Sequence, residues 1–246
     1  MPLSKILIGL LWKVGMPPIH ETISGLDVIK VPGKSKTTVV MFHGYGGSPK
    51  DLYPIHQLNP DLTWIFPQGP LKVPISLLHS GRAWFPIDIE SMQKAVATND
   101  SKAFENAFPE QTNKARAQIQ ALLDELAISS EYCVLGGFSQ GAVVATDMVL
   151  RSKKNMAGLL ILSGTLVNEQ SWCTLVKEKR GMKFFQTHGL NDPLLPFKLA
   201  QKLETILKGG GFEGSLFGFS GGHEVTPDCL EHIHRFLNDV NSLRKL

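Results

Sequence analysis

Apolar residues along this chain gather into short, nearly unbroken runs, separated by turn residues and by longer stretches with helical spacing. Residues 37–42, 62–66, 132–135, 158–162 and 182–188 are such runs, rich in β-branched and aromatic side chains, and they predict strands covered on both faces. Residues 26–31 alternate apolar and polar, which predicts a half-exposed strand near a sheet edge, and residues 215–219 give a final strand. Between these runs, Ala115, Ile119, Leu122, Leu123 and Leu126 recur on one face of a helix over residues 112–126. Further helices are predicted from Ser139 to about Arg151 with a cationic finish at Lys153-Lys154, from Pro196 to Leu207, and from Thr226-Pro227-Asp228 onward. A short helix should start at Ser48-Pro49, with Ser48 as N-cap. Strands and helices therefore alternate, the pattern of an α/β domain whose mostly parallel central sheet carries helices on both faces.

Two segments depart from that rhythm. From about residue 67 to residue 110 regular patterning fades into a loop-rich insertion, with a helical stretch near residues 90–97 and the aromatics Trp84 and Phe85. These two are read as packing residues and also as candidate pocket wall for an acyl chain. At the start, residues 6–12 form an apolar run between Lys5 and Lys13 that ends before Met16-Pro17-Pro18. The run is too short to span a bilayer, and no small-residue cleavage site follows it. Three readings stay open for residues 3–12: an apolar segment packed on the body, a weak membrane-surface contact, and a secretion signal. The expected organisation is an N-terminal segment over residues 1–20 and a single α/β domain over residues 21–246.

Composition narrows the function classes. At 246 residues with 43% apolar and 19% charged positions the chain is an ordinary globular protein, and a formal net charge of +3 gives no case for a nucleic-acid partner. Three widely spaced cysteines, Cys133, Cys173 and Cys229, suit reduced thiols in the cytoplasm better than a disulfide framework. The histidines are scattered, so no metal site and no cofactor are expected.

The chemistry gathers at strand ends. Gly137-Phe138-Ser139-Gln140-Gly141 reads as G-x-S-x-G between a predicted strand and a predicted helix, a turn that strains its serine and exposes the hydroxyl. Such a turn tolerates almost no side chain two residues before or after the serine, and Gly137 and Gly141 meet that demand. It also aims the N–H of Gln140 at the place where a substrate oxyanion would form. The loop His43-Gly44-Tyr45-Gly46-Gly47 ends another buried strand and can offer a second amide, that of Tyr45, while His43 braces the loop by hydrogen bonding. Asp192 follows the strand over residues 182–188, and His223 sits on the glycine-rich loop after the last strand. Taken alone, Asp192 reads as a turn or capping residue before it reads as a catalytic one. The order Ser139, Asp192, His223, each just past a strand, is the chain order of a hydrolase triad.

These motifs, with Pro67-Gln68-Gly69-Pro70, Trp84-Phe85, His188-Gly189-Leu190-Asn191-Asp192-Pro193-Leu194-Leu195-Pro196 and Gly222-His223-Glu224-Val225, resemble the phospholipase/carboxylesterase group of α/β-hydrolases, which includes the acyl-protein thioesterases. The resemblance runs from about residue 38 to residue 237 and implies the α/β-hydrolase fold. It implies Ser139 as nucleophile, His223 as base, Asp192 as orienting acid, and the Tyr45 and Gln140 amides as oxyanion hole. Trp84, Phe85 and Leu194 are the candidate substrate-contacting residues. Departures fall on the substrate side: Tyr45 replaces the leucine usual in the thioesterases, Gln68-Gly69 replaces His-Ala, and Ala142 replaces a second glycine. The expected function is a serine carboxylesterase for short- to medium-chain acyl esters, with an acyl-protein thioesterase or lysophospholipase as the alternative and a non-catalytic binding protein of the same fold as the rival from another class.

Overall fold

Runs that are apolar on both faces must be covered on both faces, and in the computed structural model they form the middle of one eight-stranded sheet. The structure describes residues 17–76, 79–88 and 112–243, together with Glu90 and Lys94. The elements in chain order are β1 (Ile19–Ile23), β2 (Leu26–Val31), β3 (Thr38–Phe42), α1 (Pro49–Leu52), β4 (Thr63–Pro67), β5 (Leu71–Pro74) and β6 (Ser80–Ala83). Then follow α2 (Thr112–Glu125), β7 (Cys133–Phe138), α3 (Gln140–Arg151), β8 (Gly158–Leu162), α4 (Glu169–Leu175), β9 (Lys183–Gly189), α5 (Phe197–Gly209), β10 (Glu213–Phe219) and α6 (Pro227–Ser242).

Strand order is β1-β2-β4-β3-β7-β8-β9-β10. β1, β2 and β4 pair antiparallel in turn, and every pairing from β4 through β3 to β10 is parallel. Alternate side chains of the buried strands leave in opposite directions, so Val40 and Phe42 enter one core while Val39 and Met41 enter the other. The first core takes apolar residues from α2, α3, α4 and α5; the second takes them from α1, α6 and the single-turn stretch Tyr53–Leu58. Each central strand thus has a helix layer on either side, as the runs predicted.

The differences from expectation are local. Residues 26–31 lie near the sheet edge as expected, but β1 pairs outside them, so the strand is largely buried and not half-exposed. β1 itself crosses the expected boundary at residue 20, and only Ile23 in it is buried. The insertion contains the two-stranded β5–β6 ladder, and α4 separates β8 from β9. The apolar run at residues 6–12, and with it the membrane-surface reading, lies outside the described residues, as does the helix near residues 90–97 apart from Glu90 and Lys94. Among the described residues no helix is long and apolar enough to cross a membrane.

Candidate active site

β7 enters the site through the central position of the parallel half of the sheet and stops at Phe138; α3 begins at Gln140. Ser139 bridges them with φ 55 and ψ −120, a backbone state that an L-residue adopts only under constraint. The constraint comes from both flanks. Ser139 N–H donates to Leu162 O at 2.9 Å, while its carbonyl accepts the amides of Ala142 and Val143 at 3.0 and 3.2 Å. A Cβ on Gly137 would stand 2.3 Å from the carbonyl carbon of Gly141, and one on Gly141 would stand 1.9 Å from Phe42 O. The two glycines of the motif are therefore required by close approach of backbone, as the sequence implied.

The loop after β3 lies directly against this turn, since a Cβ on Gly44 would meet Ser139 Cβ and the Phe138 ring at 3.3 Å. Gly46 N–H donates to Arg82 O at 2.8 Å and Gly47 N–H to Gly44 O at 3.1 Å, which ties the loop to β6. His43 braces it from beneath. Its Nδ1 is 2.7 Å from Gly44 O and its Nε2 is 2.9 Å from Gly69 N. Gly69 N–H can only donate, so Nε2 accepts and the proton sits on Nδ1. Burial pushes His43 below the ordinary imidazole range, against the raising influence of its bond to Gly44 and of the Asp51 charge, so the ring stays neutral in that tautomer.

Gln140 does two jobs at the start of α3. Its backbone amide is the first of the helix and has no acceptor within it. Its buried side chain accepts from Trp84 N–H at 3.0 Å and donates to Phe85 O at 2.7 Å. The Trp84 indole in turn donates to His43 O at 2.9 Å and meets the Phe42 ring edge to face at 5.1 Å. Trp84 and Phe85 are thus buried, at 1% and 4% exposure, and tie the start of α3 to the loop after β3. Leu194 is 42% exposed on the Asp192 loop. Gln68, one of the departures, turns outward, with its amide nitrogen 3.1 Å from Asp27 Oδ2.

Asp192 and His223 come together from the ends of β9 and β10. These strands are adjacent, and their loops touch so closely that a Cβ on Gly189 would stand 2.1 Å from Gly222 O. His223 Nδ1 lies 2.7 Å from Asp192 Oδ2, and the His223 ring packs on Phe138, beside the serine, at 4.9 Å between centroids. The other carboxylate oxygen, Oδ1, accepts the amides of Leu194 and Leu195 at 2.9 and 3.0 Å. Burial alone would push the Asp192 carboxyl up. Hydrogen bonds from His188 and His223, the His223 charge and the Leu195 amide outweigh that and hold it well below the usual carboxylate range.

Three contributors escaped the sequence reading. Ser163, at φ 46 after β8, donates its hydroxyl to Glu224 O at 3.1 Å and so fixes the segment next to His223. His188 contacts Asp192 from within β9. The Gln140 side chain links elbow and insertion. A Gly-rich loop and a positive-φ serine were visible as signals; these long-range partners had none.

A parallel sheet with an antiparallel end, a strained serine after its central strand, and a carboxylate and histidine after its last two strands define an α/β-hydrolase. The sequence profile described as Phospholipase/Carboxylesterase matches residues 24–241, and the chain belongs to that family of carboxylesterase and acyl-protein thioesterase-type hydrolases. It is 30% identical over 224 residues to acyl-protein thioesterase 1 of Cryptococcus neoformans var. neoformans serotype D, covering 82% of this chain and 92% of that protein. Acyl-protein thioesterase 1 of Gibberella zeae is 27% identical over 227 residues, covering 85% and 93%. In fold the chain is similar to the crystal structure of esterase PE8, with a TM-score of 0.70 at 24% identity over 87% of this chain and 99% of that one. The Bacillus cereus carboxylesterase gives 0.66 at 16% identity, over 87% and 94%.

Proposed function

We propose that the protein is a serine carboxylesterase that cleaves short- to medium-chain acyl esters through an acyl-enzyme. Ser139 Oγ attacks the acyl carbonyl while His223 Nε2 takes its proton, and Asp192 holds the imidazole with Nδ1–H towards itself. The amides of Tyr45 and Gln140 receive the oxyanion; each such donor contributes on the order of 3 kcal/mol in the transition state. His223 then protonates the departing alcohol, and a water deprotonated by the same imidazole releases the acid and frees Ser139. The observation that carries the reading is the 2.7 Å contact of His223 Nδ1 with an Asp192 whose second oxygen is held by two amides. His223 packs on the ring of Phe138, the residue before a serine whose strained backbone is maintained from both sides. Of the three candidate substrate contacts Leu194 is exposed, whereas Trp84 and Phe85 are buried against Gln140.

Labelling with a fluorophosphonate, located by mass spectrometry, tests the nucleophile. Modification at Ser139 that is lost in His223→Ala is the expected result; a folded protein unlabelled at Ser139 would overturn it. The thioester reading has its own support in the relatives named acyl-protein thioesterase 1. Paired oxygen and sulfur esters of increasing chain length, with a lysophospholipid, decide between the two. Tight ligand binding with no burst of product from an activated ester would instead indicate a non-catalytic member of the fold. A cytoplasmic location accords with the free thiols of Cys133, Cys173 and Cys229.

A further inference from the structure

The acid of the triad has a second histidine. His188 lies on β9, one helical-turn equivalent before Asp192 in the chain, and it is fully buried. Its Nε2 is 2.8 Å from Leu195 O and 3.3 Å from Asp192 Oδ2, the same oxygen that His223 Nδ1 approaches at 2.7 Å. Leu195 closes the arrangement, because its own amide donates to Asp192 Oδ1 at 3.0 Å. A carbonyl and a carboxylate can only accept, so the His188 proton is on Nε2 and is shared between them. Nδ1 is buried and has no hydrogen-bond partner among the described residues. A proton on that nitrogen would be a buried donor without an acceptor, which favours the tautomer that donates from Nε2.

We propose that His188 is a positioning residue for the catalytic acid: its Nε2–H clamps Asp192 Oδ2 to the Leu195 backbone and draws off part of the negative charge that this oxygen presents to His223. The inference rests on the serine-hydrolase reading above. Two donors compete for one carboxylate oxygen, so removing His188 should both loosen Asp192 and leave its charge more fully to His223. The first change slows turnover; the second moves the acid limb of the kcat/KM profile to higher pH. The titratable groups around Asp192 are His188 on β9, His223 on its own loop, and Glu224, whose carboxylate is 3.4 Å from Gly222 N. The neighbouring faces of β7 and α5 contribute the Phe138 ring, against His223, and the Phe197 ring, against His188.

The test uses the full chain, p-nitrophenyl butyrate as probe, and fluorophosphonate titration to count active sites. His188→Phe keeps the buried bulk and removes the donor. It should lower kcat per labelled site about tenfold with KM little changed, and raise the acid limb by about half a pH unit. His188→Gln, whose amide reaches the place of Nε2, should restore most of both, whereas His188→Asn, too short to reach Asp192, should not. Where His188→Phe fails to fold, the Gln and Asn variants decide the matter between them. Equal kcat and an unmoved limb across the variants, or a loss explained wholly by fewer labelled sites, overturns the inference alone. Hydrolysis that survives Ser139→Ala overturns the serine-hydrolase reading itself, and the inference with it.

Discussion

Gly141 offers a sharp test of how the nucleophile is held. It is the second residue of α3, and helix propensity alone says that alanine there should stabilise by about 1 kcal/mol. The packing says the reverse. An added Cβ would lie 1.9 Å from Phe42 O and 2.6 Å from His43 O, both backbone atoms of the strand end next door, whereas real Cβ atoms essentially never approach below 3.0 Å. The start of α3 must then part from β3 by about 1 Å, at a cost of roughly 1 to 3 kcal/mol or more, because main chain cannot rotate aside as a side chain can. The repulsion outweighs the propensity. Gly141→Ala should lose about 2 kcal/mol, equivalent to a fall in Tm of about 4 to 8 °C for a chain of this size.

The functional loss should be larger than the loss of stability, since the same movement carries Ser139 and the Gln140 amide away from the Tyr45 loop. A misplacement of about 1 Å costs on the order of a hundredfold in rate. Calorimetry gives the first number; kcat/KM on an activated ester and the rate of fluorophosphonate labelling at Ser139 give the second. Gly209, the last residue of α5, is the internal control: nothing lies within 4 Å of its would-be Cβ, so Gly209→Ala should gain about 0.5 to 1 kcal/mol with unchanged turnover. A Gly141→Ala protein with wild-type Tm and wild-type labelling rate would refute the reasoning.

Asp192→Asn should cut kcat by roughly 10³ to 10⁴-fold while the protein stays folded, measured per labelled site. Because the folded carboxyl is held below its unfolded value near 4, the stability it contributes is complete above about pH 4 and is lost as pH falls further, so the Tm gap between wild type and this variant should narrow from about pH 6 to about pH 3. Asp147 is buried in α3, where it accepts from Arg116 at 2.8 Å, Arg151 at 3.0 Å and the Trp172 indole at 3.0 Å. Asp147→Ala should therefore cost about 3 kcal/mol by denaturant titration and leave turnover per labelled site intact. The Cys133 thiol is pushed up to about 12 by burial, so native protein at about pH 8 should leave it unmodified by an aromatic disulfide reagent that reacts with it after denaturation.

What was legible in the sequence was whatever one short stretch encodes by itself. The run from Gly158 to Leu162 is apolar at every position and became β8 with those ends, since a strand buried on both faces has no polar position to obscure it. The elbow was legible because its five residues lie in one stretch between a strand and a helix, although only Gly137 answers to a clash within it, with Gly141, and Gly141 answers to Phe42 O from another strand. β1 was not, because the only buried side chain in it is Ile23 and its register comes from pairing with β2. The β5–β6 ladder escaped for a similar reason: it is anchored through the backbone of Arg82 to Gly46 and Gly47, and such bonds leave no hydrophobic period. Trp84 was read from its ring, but its place is set by an indole N–H reaching a carbonyl 41 residues away.

The same distinction separates chemistry from substrate. The turns that carry Ser139, Asp192 and His223 are each fixed by backbone approaches that exclude even a methyl group, at Gly137, Gly141 and Gly189. Those contacts leave room for glycine and for nothing larger. The apolar side chains that reach outward on the flanking loops obey no such constraint: Ile75, Leu190 and Leu194 are 52%, 51% and 42% exposed. Substitution at exposed positions of this kind usually changes stability by less than about 0.5 kcal/mol. Acyl preference can therefore drift at these residues while the triad stays fixed, which is why a panel of acyl chains, compared between wild type and Leu194→Ala, should shift in chain-length preference and not in the rate of Ser139 labelling. A uniform loss across all chain lengths would instead place Leu194 with the machinery that holds Asp192, through the amide it donates to Oδ1.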